Sequence, residues 1–80
     1  MPRYFFHISD PDGWIKDEEG LNLWNFDAAK QEARDTARDF AAAKVREGKP
    51  VDGRKVVVID EDGRHVYELA VKDVIDEMGN

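Results

Sequence analysis

The chain has no cysteine, one serine (Ser9), one threonine (Thr36) and two histidines (His7 and His65) among 80 residues. Without thiols there are neither disulfides nor thiolate zinc sites, so the fold must hold by packing alone, which suits a reducing compartment. Scarce hydroxyls leave nucleophilic catalysis little to work with, and neither a Gly-x-Ser-x-Gly elbow nor a phosphate-cradling glycine loop occurs. Cations are short as well: twelve Lys and Arg stand against eighteen Asp and Glu, a net charge of -6. A chain with the sign of a phosphate backbone must focus its cations on one patch to bind nucleic acid, and the best local group, Arg54, Lys55 and Arg64, is small. Long apolar runs are missing too. The N-terminal MPRYFFHIS is too short for a signal-peptide core or a bilayer span. These absences predict a cytoplasmic protein that binds neither nucleic acid nor membrane and carries no cofactor.

Residues 1–80 make one domain, and a chain this short buries only about 60–65% of its unfolded surface. Small domains of this kind often enlarge their core with a partner surface, which predicts self-association or a protein partner.

Residues 3–9, RYFFHIS, alternate as a strand, with Tyr4, Phe6 and Ile8 on one face and Phe5, His7 and Ser9 on the other. Asp10 to Gly13 turn the chain, WIKD returns antiparallel, DEEG turns it again, and LNLW is a short alternating stretch. A helix is predicted over residues 26–47. Asn25 is its N-cap, Asp27 sits in the first turn, Gly48 is the left-handed stop, and Pro50 prevents continuation. Its apolar stripe is Phe26, Ala29, Ala33, Ala37, Phe40, Ala41 and Val45. KVVVI, residues 55–59, hardly alternates and reads as a central strand buried on both faces. RHVYELAV alternates again, and VKDVIDEMGN places Val71, Val74, Ile75 and Met78 on one side of a short helix. The predicted fold is α+β, in the order β-β-α-β-β-α: a four-stranded, mainly antiparallel sheet, strands ordered 2-1-3-4, with the long helix on one face and a short C-terminal helix.

Asp-x-Asp-Gly occurs twice, as DPDG at 10–13 and DEDG at 60–63. A calcium loop drawn through the first copy would gather Asp10, Asp12, Gly13, Ile15 and Glu19, but it begins on Ile8 where a ligand is required and is flanked by strands. Hairpin chemistry fits both copies: Asp accepts from the amide two residues on, and Gly takes a positive φ. A metal site would need His7 and His65 together with Asp10 or Asp62, yet the alternation does not put the two histidines on one face. Asp17, Glu18 and Glu19 before Gly20 read as a solvated turn, since catalytic carboxylates need a cleft.

If the helix covers Tyr4, Phe6, Ile8, Val57 and Ile59, then Phe5, His7, Val56, Val58 and Val66 form a second apolar face and the candidate interaction surface. The expected function is a non-enzymatic interaction module acting as a homodimer. A regulatory protein with one dedicated basic partner comes second, and a small metal-dependent enzyme built on the histidines third.

The opening MPRYFFHISDPDG, followed by DEEGLNL, the Ala-rich Ala28 to Ala43 helix, VDGRKVVVIDEDGR and VYELAV, resembles a family of small uncharacterised proteins of rhizobia and related alphaproteobacteria. The resemblance implies a compact cytoplasmic bacterial α/β protein and assigns no catalytic residue. YFFHISDPDGW and NFDAAKQEARDTA are also distantly similar to the small antitoxins that pair with HicA-type toxins, although the Pro-Gly-Cys turn of that family is missing. That similarity implies an acidic protein neutralising a basic partner.

Overall fold

The structure, a computed structural model, describes residues 1–78 and the side chains of residues 1–77. Seven elements follow in chain order: Arg3–Asp10 (β1), Gly13–Ile15 (β2), Leu21–Asn22 (β3), Phe26–Glu47 (α1), Lys55–Asp60 (β4), His65–Ala70 (β5) and Val71–Met78 (α2). All strand pairings are antiparallel, in the order β2-β1-β4-β5, and β3 pairs with the far end of the same β1 edge that β2 occupies. The sheet order and both helices agree with expectation; LNLW contributes a fifth, two-residue strand that the four-strand reading lacked.

Helix α1 begins and ends where its caps dictate. The Asn25 side chain accepts from the Ala28 amide at 2.9 Å, and Gly48, at φ 71°, sends its N–H back to the last-turn carbonyls. Ala29, Ala33, Ala37 and Ala41 are at most 1% exposed. Four small side chains on one stripe let the helix lie close against Phe6, Val56, Val58 and Leu69. Phe26 and Val45, expected on that stripe, are 41% and 69% exposed instead, with the Phe26 ring edge-on to Tyr67 of β5 at 6.0 Å. Helix α2 follows β5 without a loop and buries Val71 and Val74 beside α1. Met78, expected on the same side, has its side chain outside the described residues.

Both Asp-x-Asp-Gly stretches are hairpin turns built alike. Asp10 Oδ1 accepts from the Asp12 amide at 3.0 Å, and Asp60 Oδ1 accepts from the amides of Asp62 and Arg64 at 3.0 and 2.9 Å. Gly13 and Gly63 hold the positive φ of 149° and 82° that follows each.

The two faces of β4 are the reverse of the sequence-based assignment. Phe6 stands opposite Val58 and Ile8 opposite Val56, and residues directly opposite each other share a face. Val56 and Val58 therefore join Tyr4, Phe6 and Ile8 beneath the helices, each valine being 0% exposed. Val57 and Ile59 point to the uncovered side, opposite His7 and Phe5. Val66 is the extra residue of a β-bulge, between Val58 paired with Tyr67 and Ile59 paired with His65. The bulge resets the alternation, so Val66 and Tyr67 both pack on the core.

Candidate interaction surface

Of the five residues expected to form an interaction face, Phe5 and His7 lie on the uncovered side of the sheet; Val56, Val58 and Val66 belong to the core or pack against it. Their places are taken by Val57, Ile59 and Trp14, the last opposite Ser9 on β1. Phe5 stacks near-parallel on His7 at 6.4 Å between centroids, and the Trp14 ring stands edge-on to His7 at 6.2 Å. An aromatic row thus crosses the bare face beside Val57, itself only 2% exposed, while Trp14 at the row's end is 56% exposed. Lys55 and Glu68 bracket the far side with an ion pair at 3.4 Å.

The edge beyond β1 is interrupted. Strand β2 pairs with Ile8 to Asp10 and β3 with Arg3 and Tyr4, leaving the Phe6 amide without a strand partner. Asp17 fills the gap: its Oδ2 accepts from the Phe6 amide at 3.0 Å and its Oδ1 from the Gly20 amide at 3.1 Å. The Asp17 amide in turn donates to His7 Nδ1 at 3.0 Å, which fixes the ring as an acceptor at that nitrogen. Arg3 donates to the Glu19 carbonyl. A segment that reads in sequence as a solvated acidic turn is a plug that closes a sheet edge and orients the aromatic row. The signal that could have shown this is the length of the excursion between two very short strands on one edge.

At the hairpin end, Asp10, Asp12, Gly13, Trp14, Ile15 and Arg54 line an open cleft of about 240 Å³. Arg54 Nε donates to Asp10 Oδ2 at 3.0 Å and its Nη1 to the Pro50 carbonyl. The Asp12 amide bonded to its carboxylate, and the Arg54 guanidinium beside it, hold Asp10 below its ordinary value. Arg54 is thereby committed to Asp10, and Arg64 sits by the β4–β5 turn at the other end of the sheet, so the best cationic group of the sequence is divided.

The two histidines do not meet. His7 faces Val57 on one side of β4 and His65 pairs with Ile59 on the other. Among the described residues no group of three or more His, Asp or Glu is placed to hold a metal ion. None of their helices is long and apolar enough to cross a membrane.

Helices on one face of an antiparallel sheet, with the other face bare, define a two-layer α+β protein. Residues 3–72 match the family described as Domain of unknown function (DUF6894), and the chain belongs to that family. The match runs from the first residue of β1 through the second of α2, so it takes in the whole sheet and α1. No curated protein and no solved structure matches the chain significantly.

Proposed function

We propose that this protein is a non-enzymatic interaction module that associates with a second copy through the uncovered face of its sheet. The observation that carries this reading is the row Phe5, His7 and Trp14 beside Val57 and Ile59, on a face that no helix among the described residues crosses. Rigid aromatic side chains on a flat, mostly apolar surface supply contact area at low entropic cost and are enriched at protein interfaces. The one titratable ring in the row already uses Nδ1 to hold the Asp17 amide, which suits a structural role better than proton transfer. The partner is protein and not nucleic acid, since the strand cations on this face among the described residues, Lys55 and Arg3, are engaged by Glu68 and by the Glu19 carbonyl. The compartment in keeping with a cysteine-free chain is the cytoplasm.

Light scattering on a sizing column, run across a range of loading concentrations, tests the reading. The native chain is expected at twice its monomer mass, and Ile59→Lys at the monomer mass with unchanged circular dichroism. A native monomer at every concentration would overturn the homodimer. A second reading, a regulatory protein with one dedicated basic partner, is favoured by the carboxylates Glu18, Glu19, Glu32 and Asp39, none of which has an ion-pair partner among the described residues.

A further inference from the structure

The loop of residues 16–20 is fastened over one end of the aromatic row by bonds of different kinds. Gly20 lies against Phe5: a Cβ built on it would stand 2.9 Å from two carbons of the Phe5 ring. Among the described residues, three side-chain bonds tie the loop to β1. The Asp17 carboxylate accepts from the Phe6 amide at 3.0 Å, Arg3 donates to the Glu19 carbonyl, and the Asp17 amide donates to His7 Nδ1 at 3.0 Å. Only the last depends on a side-chain type that titrates near neutrality, since imidazoles change charge between about pH 5 and 8, carboxylates lower and guanidinium groups far higher. A neutral ring that accepts at Nδ1 carries its hydrogen on Nε2. A protonated ring carries hydrogens on both nitrogens and has no lone pair left for an amide. Turning the ring over does not restore the bond, because its other edge presents carbon at that place.

We propose that this loop is a lid over Phe5, which neutral His7 holds shut and protonation of His7 releases. The charged groups around the ring do not replace the lost bond. On this side of the sheet the loop brings Lys16, Asp17, Glu18 and Glu19, β1 brings Arg3, and β4 brings Lys55. Strand β5 brings Glu68 and His65, opposite Val57 and Ile59, and β2 brings the uncharged Trp14. Arg3 is engaged by the Glu19 carbonyl and Lys55 by Glu68. The Asp17 carboxylate attracts an imidazolium, but its two oxygens already hold the Phe6 and Gly20 amides. A ring drawn to it must leave the Asp17 amide, so that attraction moves His7 off the latch and does not remake it. Release adds Phe5 to the open apolar area of the uncovered face, which is therefore larger in acid than at neutrality. That consequence rests on the reading of this face as an interaction surface; the latch itself does not.

Nitrogen NMR of the histidine rings, with amide hydrogen exchange over the span from about pH 8 to about pH 5, tests the latch. At the upper end His7 is expected as the Nε2–H tautomer. As the ring gains its proton, protection of the Asp17 amide, corrected for intrinsic exchange, should fall about 10-fold, as loss of one hydrogen bond requires. The proton–proton contact between Gly20 and the Phe5 ring should weaken with the same midpoint. His7→Asn, whose side-chain oxygen takes the place of Nδ1 and does not titrate, should keep the Asp17 amide protected throughout. His7→Phe, which keeps a stacked ring without an acceptor, should leave that amide poorly protected throughout, and His65→Asn should behave as the native chain. An Nδ1–H tautomer at the upper end would overturn the proposal. So would protection of Asp17 or a Gly20–Phe5 contact that does not change as His7 titrates, or a pH dependence that survives in either His7 variant. The same change is expected in Ile59→Lys, whose monomer mass keeps the latch separate from the fate of the homodimer reading; its absence there would tie the effect to association and overturn the latch.

Discussion

Replacing Asp17 by alanine tests whether the interrupted edge is closed by a side chain. The change removes the acceptor of the Phe6 amide at 3.0 Å and of the Gly20 amide at 3.1 Å. A hydrogen bond to a charged acceptor contributes about 1.5–3 kcal/mol net, and both amides here are partly reachable by water, which recovers some of that. A loss of about 2 kcal/mol is therefore expected, against a total of about 4–12 kcal/mol for a domain of this length. At about 4–8 °C per kcal/mol the melting temperature falls by roughly 10 °C. Asp17→Asn keeps one acceptor and turns an amide NH₂ toward the other donor, so it recovers at most part of the loss. Urea denaturation gives the free energy, and amide hydrogen exchange read residue by residue locates it. Phe6 and Gly20 are expected to lose protection before the β1–β4 ladder does. Unchanged protection at Phe6, with stability within about 0.5 kcal/mol of native, would refute the reasoning, because the amide would then have another partner.

Gly20 lies at φ +70° with the Tyr4 carbonyl oxygen 2.8 Å from where a Cβ would stand, and Gly20→Ala is expected to cost about 2–4 kcal/mol by urea denaturation, strain and contact together. Gly63→Ala, at φ +82° in open space, should cost only about 1 kcal/mol by the same measurement. Val58→Lys should abolish the cooperative thermal transition, since Val58 is fully buried beneath α1, whereas Ile59→Lys on the bare face should keep it. Asp10 has a carboxyl held below its ordinary value, chiefly by the Asp12 amide, with Arg54 helping to offset the opposing effect of desolvation. A depressed folded-state value means that its stabilisation is complete above the unfolded value and is lost as the pH falls through the folded one. Asp10→Asn should therefore flatten the acid limb of stability below about pH 4 and leave its shape near neutrality unchanged, which denaturation across a pH series reads directly.

The sequence by itself determined the local features whose causes are local. Asn25 and Gly48 bound α1 at Phe26 and Glu47 because capping needs only a side-chain acceptor at one end and a positive φ at the other. The two Asp-x-Asp-Gly turns were legible because each Asp bonds an amide two residues away. The unalternating KVVVI marked β4 as the central strand, but the same lack of alternation gave it no phase, so nothing in its residues said whether Val56 and Val58 or Val57 and Ile59 would meet the helices. Pairing with β1 decided that, by setting Phe6 opposite Val58. The bulge at Val66 was hidden for a related reason, since an extra residue in one strand exists only relative to its neighbour. Only the tertiary structure set the Asp17 carboxylate against the Phe6 amide and His7 against the Asp17 amide. Both depend on distances between segments far apart in the chain, which periodicity within a segment cannot carry.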